Sequence, residues 1–344
     1  MLSGDVANQG IKVIVTGACG FVGRHAADAV ADRGDTVVAL DIVGEAWRDD
    51  VPVVHVDLRD ADAVREACAG ANAIIHSASV VHTAQHGLSF LRAVNVGGTQ
   101  NVIDACRAHD IRRLVYVSSA SVVYEGKDLE AGDESLPYAR SSQAPYADTK
   151  IEAEQLVLAA NGEDLATLAI RPHVVFGPGD TRLLPAILTR ARAGQLKFRV
   201  GSGEHLSDFT FIDNLTSALL SALDRLETQA EIAGEAYFIT NGEPLAFFDF
   251  IDRVLAGLEL PRPERTVPYG VAYGAAWAAE MLKRLSGRPI GQEDGMSRFA
   301  VRYLCTHHYF QIGKAKRDLG YVPEVSLEEG IRRTVAALHE SGVP

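Results

Sequence analysis

Residues 12–30 read KVIVTGACGFVGRHAADAV, which is a short apolar run, a glycine-rich turn and the beginning of a helical pattern. The run at 12–16 predicts a strand buried on both faces, and the pattern at 21–33 predicts a helix. A strand that leads through glycines into a helix is the opening unit of an open α/β sheet. This unit predicts further strands and helices in alternation.

The first half of the chain continues that alternation. Most of its strand candidates are nearly continuous apolar runs, which is typical of a parallel sheet covered by helices on both faces. The predicted fold class is therefore α/β, a doubly wound parallel sheet of the Rossmann type. Strands are predicted at 12–16, 37–41, 53–57, 73–76, 113–118 and 166–171, and helices at 21–33, 60–69, 89–108 and 146–160.

The overall composition narrows the class of protein. The chain has 344 residues, of which 47% are apolar, and a net charge of −12, so its field repels polyanions and a nucleic-acid partner is not expected. Its four cysteines are far apart and form no CxxC pair, which argues against a disulfide framework or a structural metal site. The first ten residues lack the features of a signal peptide, so we expect a cytoplasmic protein.

The three glycines of the turn suit the binding of a dinucleotide. Gly17, Gly20 and Gly23 are spaced three residues apart, and the helix pattern begins at Phe21 and Val22. Glycines allow the backbone to approach a pyrophosphate, and the helix N-terminus offers unpaired N–H groups and partial positive charge. The turn and these first helical residues are therefore predicted to bind the cofactor.

Two acidic residues indicate which dinucleotide binds. Asp41 ends the second predicted strand, 18 residues after Gly23, where a carboxylate meets the adenosine ribose and repels a 2′-phosphate. This favours NAD over NADP, although Asp41 could instead cap the turn that follows its strand. Asp57 and its neighbour Leu58 end the third strand and are predicted to contact the adenine, the alternative being that Asp57 is the N-cap of the next helix.

Residues Tyr146 and Lys150 are the predicted reacting pair. They lie four residues apart in YADTK, at the start of a predicted helix, so their side chains share one face. A free tyrosine has a pKa of about 10, so its use as a base near neutral pH needs a lowered pKa. The positive charges of Lys150 and of an oxidised nicotinamide are expected to lower it.

Two further polar residues are expected beside that pair. Ser119 follows the fifth strand in LVYVSSAS, and its hydroxyl is predicted to bind the reacting oxygen, with turn capping as the alternative. Asn95 lies on the otherwise apolar face of the preceding helix, where a buried amide needs partners. A water chain leading to Lys150 is one such partner.

Together these motifs resemble the extended short-chain dehydrogenase/reductase superfamily, and the resemblance spans essentially the whole chain. Further segments resemble its 3β-hydroxysteroid dehydrogenase branch and, within that branch, the sterol-4α-carboxylate 3-dehydrogenases (decarboxylating). These segments are VNVGGTQN, SSASVVYEG, GDESLPY, AIRPHVVFGPGD, DFTFIDN, AYFITNGEP and YFQIGKAKRDLGYVP.

The resemblance implies roles for the site residues. Tyr146 is implied to be the acid/base, Lys150 to bind the nicotinamide ribose and lower the tyrosine pKa, Ser119 to orient the hydroxyl, and Asn95 to belong to a proton relay. The nicotinamide pocket is implied to include Ala78, Pro172 and His173. The resemblance also implies a Rossmann domain over 1–180 and a smaller, mainly substrate-binding domain over 181–344, some segments of which return to the sheet.

The implied activity is NAD-dependent oxidation of a steroid or sterol 3β-hydroxyl to the 3-ketone. A carboxylate on C4 would make the product a β-keto acid, which loses carbon dioxide readily. The alternatives are a nucleotide-sugar epimerase or dehydratase with the same Tyr and Lys, and a dinucleotide sensor without catalysis.

Three other features keep two interpretations each. Five cations between 182 and 199 could bind a substrate carboxylate or form a solvated helix face; they are Arg182, Arg190, Arg192, Lys197 and Arg199. The apolar segment 267–285 could be core or a peripheral membrane contact for a lipid substrate. His82 and His86 are four residues apart and could bind a metal on a helix, but no third ligand is evident, so a pocket wall or surface is the favoured interpretation. The protein could also form a homodimer.

Overall fold

A computed structural model describes residues 10–81, 87–140, 144–286 and 297–341. Its strands are β1 (Lys12–Thr16), β2 (Thr36–Asp41), β3 (Val53–His55), β4 (Ala73–His76), β5 (Arg113–Val117), β6 (Leu129–Gly132), β7 (Ala166–Pro172), β8 (Val175–Phe176), β9 (Phe198–Val200), β10 (Leu206–Ser207), β11 (Thr210–Phe211), β12 (Ala236–Ile239), β13 (Leu245–Ala246), β14 (Arg265–Val267) and β15 (His308–Phe310).

The helices surround these strands. They are α1 (Phe21–Asp32), α2 (Ala61–Ala67), α3 (Leu88–Arg92), α4 (Gly98–Ala108), α5 (Pro145–Ala159), α6 (Leu183–Arg192), α7 (Ile212–Thr228), α8 (Phe247–Gly257), α9 (Tyr269–Leu285), α10 (Arg298–Leu304), α11 (Gly313–Asp318) and α12 (Leu327–Glu340). A π-helical turn at Ala93–Gly97 joins α3 to α4, and short 3₁₀ helices lie at Ala120–Val123 and Ala230–Ile232.

The central sheet has seven strands in the order β12-β7-β5-β4-β1-β2-β3, and all its pairings are parallel. One large apolar cluster packs α1 and α7 on one face, and a second packs α2, α4 and α5 on the other. The predicted doubly wound α/β fold is confirmed. The strand order reverses between β1 and β4, so a crevice opens there at the carboxyl edge.

The helix predicted at 89–108 is present, but a π-helical turn interrupts it. The π-helical turn at Ala93–Gly97 separates α3 from α4 and contains the buried Asn95. Such turns insert an extra residue into a helix and often occur at functional sites. Sequence periodicity does not reveal this interruption because the apolar face continues through it.

The second half of the chain supplies a smaller, mixed layer. β10 pairs antiparallel with β13 and parallel with β15, which in turn pairs with β6 from the first half. β12 crosses back to the edge of the central sheet beside β7. Segments distant in sequence therefore meet above the carboxyl end of β7.

Candidate active site

A cleft of about 710 Å³ runs along the carboxyl edge of the sheet. Its volume is within the range of small-molecule and cofactor sites. The structure brings together along its wall most of the residues that the sequence predicted, namely Gly17, Gly20, Phe21, Val22, Gly23, Asp41, Asp57, Leu58, Ala78, Ser119, Tyr146, Lys150 and Pro172.

The glycine turn forms the floor of this cleft. Gly17 has φ +65°, a left-handed conformation that favours glycine, and a Cβ on Gly23 would lie 2.1 Å from the Gly17 carbonyl oxygen. Gly20 is the N-cap of α1, no side chain caps its N–H groups, and the first turn holds no acidic residue. An uncapped helix N-terminus beside glycines fits the pyrophosphate of a dinucleotide.

The two acidic residues have different partners. Asp41 accepts hydrogen bonds from the backbone N–H of Cys19 (2.9 Å) and of Ile42 (2.7 Å), so it braces the glycine turn while it lines the cleft. Asp57 pairs with Arg59, which holds the pKa of the carboxyl below its usual range. The N-cap of α2 is Asp60, so the alternative role of Asp57 as that cap is wrong.

The Lys150 ammonium lies under the cleft, almost fully buried. Its Nζ donates to the carbonyl oxygen of Val117 at 2.5 Å and lies 4.2 Å from the ring centroid of Tyr116. Burial lowers the pKa of Lys150 to about 7, and the nearby carboxylate of Glu154 opposes that effect. The lysine is therefore held in place by a backbone carbonyl and an aromatic face at the end of β5.

The phenol of Tyr146 lies where the cleft meets a second cavity. Burial raises the pKa of Tyr146, and the positive charge of Arg182 opposes that rise. The lowered pKa that the sequence argument expected is thus not produced by the protein groups around the ring. A further positive charge next to the phenol would be needed to lower it.

Two serine hydroxyls line the cleft beside that phenol. Ser119 Oγ accepts from the backbone N–H of Ser121 at 3.2 Å, so it caps the following 3₁₀ helix, as the alternative interpretation held. Its own hydrogen remains available to a substrate oxygen. Ser118 Oγ is buried and has no hydrogen-bond partner among the described residues, as expected of a group that faces a bound molecule.

The amide of Asn95 is buried behind the cleft wall rather than on it. Its Oδ1 accepts from the Val80 N–H at 2.7 Å, and its Nδ2 donates to the Val80 carbonyl oxygen and to Thr149 Oγ1, both at 2.9 Å. Val80 lines the cleft, and Thr149 precedes Lys150. Asn95 therefore ties the segment after β4 to the helix that carries the reacting pair.

The second cavity has a volume of about 290 Å³ and a largely aromatic wall. It shares Ser119 and Tyr146 with the cleft, and it includes His173, which the sequence analysis had assigned to the nicotinamide pocket. The sequence predicted no role for the other ring-bearing residues of this cavity. One of them, Phe310, belongs to the motif YFQIGKAKRDLGYVP. The full set is Tyr124, Phe299, Tyr303, His308 and Phe310.

Neutral histidines form the deep end of this aromatic cavity. His308 Nε2 lies 2.9 Å from the Tyr303 carbonyl oxygen, so that nitrogen is the donor and Nδ1 accepts from His173 Nε2 at 2.8 Å. Burial lowers the pKa of His308 to about 4 and that of His173 well below its usual value. The cavity therefore offers rings and neutral polar atoms rather than charges.

Helix α9 is mostly exposed, so the interpretation of segment 267–285 as core is wrong. Only Ala272 and Ala276 of α9 are buried, whereas Trp277, Leu282 and other large apolar side chains are exposed. No helix within 10–81, 87–140, 144–286 and 297–341 is long and apolar enough to cross a bilayer. The pair His82 and His86 lies outside the described residues.

The basic residues between 182 and 199 do not act as one cluster. Arg199 pairs with Asp252 and lies 3.7 Å from Asp249, so it joins its strand to α8. Lys197 is exposed. Arg182 alone of the five lines the cofactor cleft.

Proteins with similar sequences include enzymes of two kinds. A 2-alkyl-3-oxoalkanoate reductase of Stenotrophomonas maltophilia is 41% identical over 95% of this chain and 99% of that protein. A decarboxylating sterol-4-alpha-carboxylate 3-dehydrogenase of Mus musculus is 36% identical over 98% of this chain and 93% of that protein.

Solved structures with a similar fold include nucleotide-sugar enzymes. An epimerase of Methanothermobacter thermautotrophicus superposes with a TM-score of 0.77 at 22% identity, over 97% of this chain and 94% of that one. The UDP-glucose 4-epimerase of Thermotoga maritima superposes with a TM-score of 0.76 at 18% identity, over 96% of this chain and 99% of that one. At such identities the likeness shows the fold.

The sequence likeness is decisive for the family. The model of the 3-beta hydroxysteroid dehydrogenase/isomerase family matches residues 14–269, well over half of the chain. That range contains the glycine turn and the Tyr146–Lys150 pair. The chain belongs to the 3-beta hydroxysteroid dehydrogenase/isomerase family, and the expected resemblance is confirmed.

Proposed function

We propose that this protein is an NAD-dependent oxidoreductase that oxidises the 3β-hydroxyl of a steroid or sterol to the 3-ketone. The observation that carries the proposal is the position of Tyr146 and Ser119, which belong to the walls of both the dinucleotide cleft and the aromatic cavity. A hydroxyl bound in that cavity meets both side chains next to the cofactor. Curated relatives with this substrate class match almost the whole chain.

The chain's own residues divide the work of the reaction. Bound NAD supplies the acceptor for the hydride. Ser119 donates its hydroxyl hydrogen to the substrate oxygen, and Tyr146 in its phenolate form takes the hydroxyl proton as the ketone forms. Lys150, one helical turn after Tyr146 and fixed by the Val117 carbonyl, holds an amine in the wall of the same cleft. Asn95 is a positioning residue that holds the cleft wall against α5.

We further propose that the sterol carries a carboxylate on C4, as in the names of several relatives. Oxidation at C3 then yields a β-keto acid. Breaking the bond between C4 and the carboxylate carbon releases carbon dioxide and leaves the electron pair as an enolate of the new carbonyl. A proton taken up at C4 from water then gives the 3-ketone. The protein then has only to hold the ring and donate a hydrogen bond to the C3 oxygen, which Ser119 and Tyr146 are placed to do.

A second candidate is reduction of a 2-alkyl-3-oxoalkanoate, which the relative from Stenotrophomonas favours. The two candidates share a reacting carbon next to one that bears a carboxylate. The decisive experiment incubates the purified protein with NAD and a 4α-carboxy-3β-hydroxysterol, or with NADH and a 2-alkyl-3-oxoalkanoate, and follows absorbance of the reduced nicotinamide. Turnover of neither substrate class, together with turnover of a UDP-sugar, would move the protein to the epimerase alternative.

We also propose that α9 contacts a membrane surface peripherally. Its exposed side includes Trp277, Met281, Leu282 and Leu285, and exposed Arg284 lies at its end, a combination suited to an anionic lipid interface. α9 packs on α10, whose Phe299 and Tyr303 line the aromatic cavity. A lipid substrate at this surface would therefore be close to the cavity.

Sedimentation with vesicles of phosphatidylcholine and phosphatidylserine tests this contact. We expect the protein to pellet with the vesicles, the double variant Trp277→Asp/Leu282→Asp to stay in solution, and a control, Val322→Asp at a distant exposed site, to pellet normally. Binding that is equal in all three proteins would contradict the proposal. Loss of a dimer in the double variant, measured by size exclusion, would assign the face to a second copy instead.

A further inference from the structure

Arg182 lines the same cleft as Tyr146 and lies immediately before α6. The neighbouring Asp180 accepts hydrogen bonds from three backbone N–H groups, those of Arg182 (2.7 Å), Leu183 (3.2 Å) and Leu184 (3.0 Å). These bonds use both carboxylate oxygens of Asp180 and fix the backbone that carries the arginine. The Arg182 side chain is exposed. The negative charge of Asp180 acts on it, but no hydrogen bond joins the guanidinium to a carboxylate of the described residues.

The other charged groups of the cleft are already engaged. Arg59 pairs with Asp57 at the adenosine end, Asp41 accepts from the glycine turn, and Lys150 donates to the Val117 carbonyl. Within the described part of the chain, Arg182 is thus the cleft-lining cation that has no such partner. An arginine in this state is suited to bind a carboxylate through two parallel hydrogen bonds.

Among the described residues, none that lines the aromatic cavity is a lysine or an arginine. Its histidines, His173 and His308, are bonded to each other and neutral, because burial lowers the pKa of both. A substrate carboxylate that enters with its reacting carbon at Tyr146 would otherwise lose its hydration without compensation. Arg182 and Tyr146 line the same cleft, and the positive charge of Arg182 opposes the rise that burial causes in the tyrosine pKa. A carboxylate next to the reacting carbon would therefore enter a cleft that contains this arginine.

We propose that Arg182 binds the carboxylate on the carbon adjacent to the reacting carbon and so selects 3-hydroxy and 3-oxo carboxylates over their neutral analogues. This inference rests on the proposed function and deepens it, since it names a substrate feature common to both candidate reactions. The sterol carboxylates and the 2-alkyl-3-oxoalkanoates that relatives act on, by their names, both carry that group.

The test compares each acid with its own methyl ester. The substrates are a 4α-carboxy-3β-hydroxysterol with NAD and a 2-alkyl-3-oxoalkanoate with NADH, each beside its ester. The proteins are the wild type, Arg182→Gln, Arg182→Lys, and the control Lys197→Gln, which removes the same charge from an exposed site outside the cleft. Fluorescence of bound NADH is measured for every protein as a second readout.

We expect Arg182→Gln to lower kcat/KM for the acid by about 10- to 100-fold, the scale of a lost charge-assisted pair, mostly through KM. The ester and the affinity for NADH should change little. The kcat/KM of Arg182→Lys for the acid should lie between those of the wild type and Arg182→Gln, because lysine keeps the charge and loses the bidentate geometry. Lys197→Gln should match the wild type.

Three results would overturn the assignment. Equal losses for acid and ester, with weaker NADH binding, would show that Arg182 acts on the cofactor. Wild-type activity that is equal for acid and ester and insensitive to Arg182→Gln would leave the proposed oxidoreductase intact and remove the carboxylate role. Turnover of none of the four substrates by a wild type that binds NADH would reject the proposed function, and the role of Arg182 with it.

Discussion

The cofactor cleft and the aromatic cavity meet at Tyr146 but are built in different ways. The cleft is shaped by backbone, namely the glycine turn, the uncapped start of α1 and the ends of neighbouring parallel strands. The cavity is shaped by side chains that come from residues 119–124, 144–147 and 299–310 and from His173. One family can therefore keep its cofactor site while the substrate site changes with a few distant side chains.

The two regions also differ in charge. The cleft contains acidic and basic side chains and the unpartnered hydroxyl of Ser118, whereas the cavity has neutral histidines and aromatic rings. A charged dinucleotide in the cleft and the largely apolar ring system of the proposed substrate in the cavity would thus lie in separate environments. This comparison predicts that substitutions in one region affect one ligand, and that only the shared residues affect both.

The largest effect is expected at the shared phenol. Tyr146→Phe should lower kcat by about 10³-fold, because it removes the proton-transfer group, and should leave NADH affinity nearly unchanged. Steady-state kinetics and NADH fluorescence measure the two quantities. Tyr269→Phe on exposed α9 is the matched control. Retention of more than a tenth of the activity in Tyr146→Phe would remove the phenol from the reaction.

The next largest effect is expected from the buried ion pair between α5, which carries Tyr146, and β7. Glu154 and Arg171 form a buried ion pair at 2.5 Å, and Tyr138 donates to the same carboxylate at 2.8 Å. Glu154→Gln leaves the arginine charge buried and unpaired, so we expect the free energy of unfolding to fall by about 3–5 kcal/mol.

Urea denaturation measures that loss. The matched control is Glu329→Gln, which breaks an exposed pair with Arg332 and Arg333 on α12 and should barely shift the midpoint. Equal midpoint shifts in the two variants would mean that burial of the Glu154 pair adds nothing. The catalytic helix would then be held by its apolar contacts alone.

A substitution confined to the cofactor cleft should affect one ligand. Gly23→Ala places a Cβ 2.1 Å from the Gly17 carbonyl oxygen, so the turn must open by a sizeable fraction of an ångström. We expect the Kd of NADH to rise by about 100-fold and the KM of the sterol to stay within a factor of about three. Gly274→Ala, which meets no atom within 4 Å, is the control. Unchanged NADH binding would argue against a pyrophosphate at this turn.

The smallest effect is expected in the aromatic cavity. Phe299→Ala removes one ring from its wall, so the KM of the apolar substrate should rise by about 10-fold, while the Kd of NADH stays constant. Phe198→Ala, at an exposed ring on β9, serves as the control. If both ligands lose affinity together, the two regions are coupled and the comparison fails.

Local patterns in the sequence were sufficient to predict the cofactor half. The strands before Gly17 and Asp41 are short apolar runs, and the turn between β1 and α1 needs glycine for steric reasons that hold in any chain. Parallel strands all end at one edge, so Asp41 and Ser119 were expected there, and Tyr146 was expected beside them at the start of a helix. Periodicity missed the π-helical turn around Asn95, since an inserted residue barely changes an apolar face.

By itself the sequence determined the α/β fold, the glycine turn after the first strand and the position of Tyr146 and Lys150 on one helix, because each depends on residues close together in the chain. Only the tertiary structure decided that His173 turns into the aromatic cavity, that α9 keeps its apolar side exposed, and that Arg182 alone among five cations lines the cleft. The place of His173 depends on its contact with His308, 135 residues away, and the other two outcomes depend on how whole helices pack. The burial and the charge of a side chain are set by such contacts, which no local pattern records.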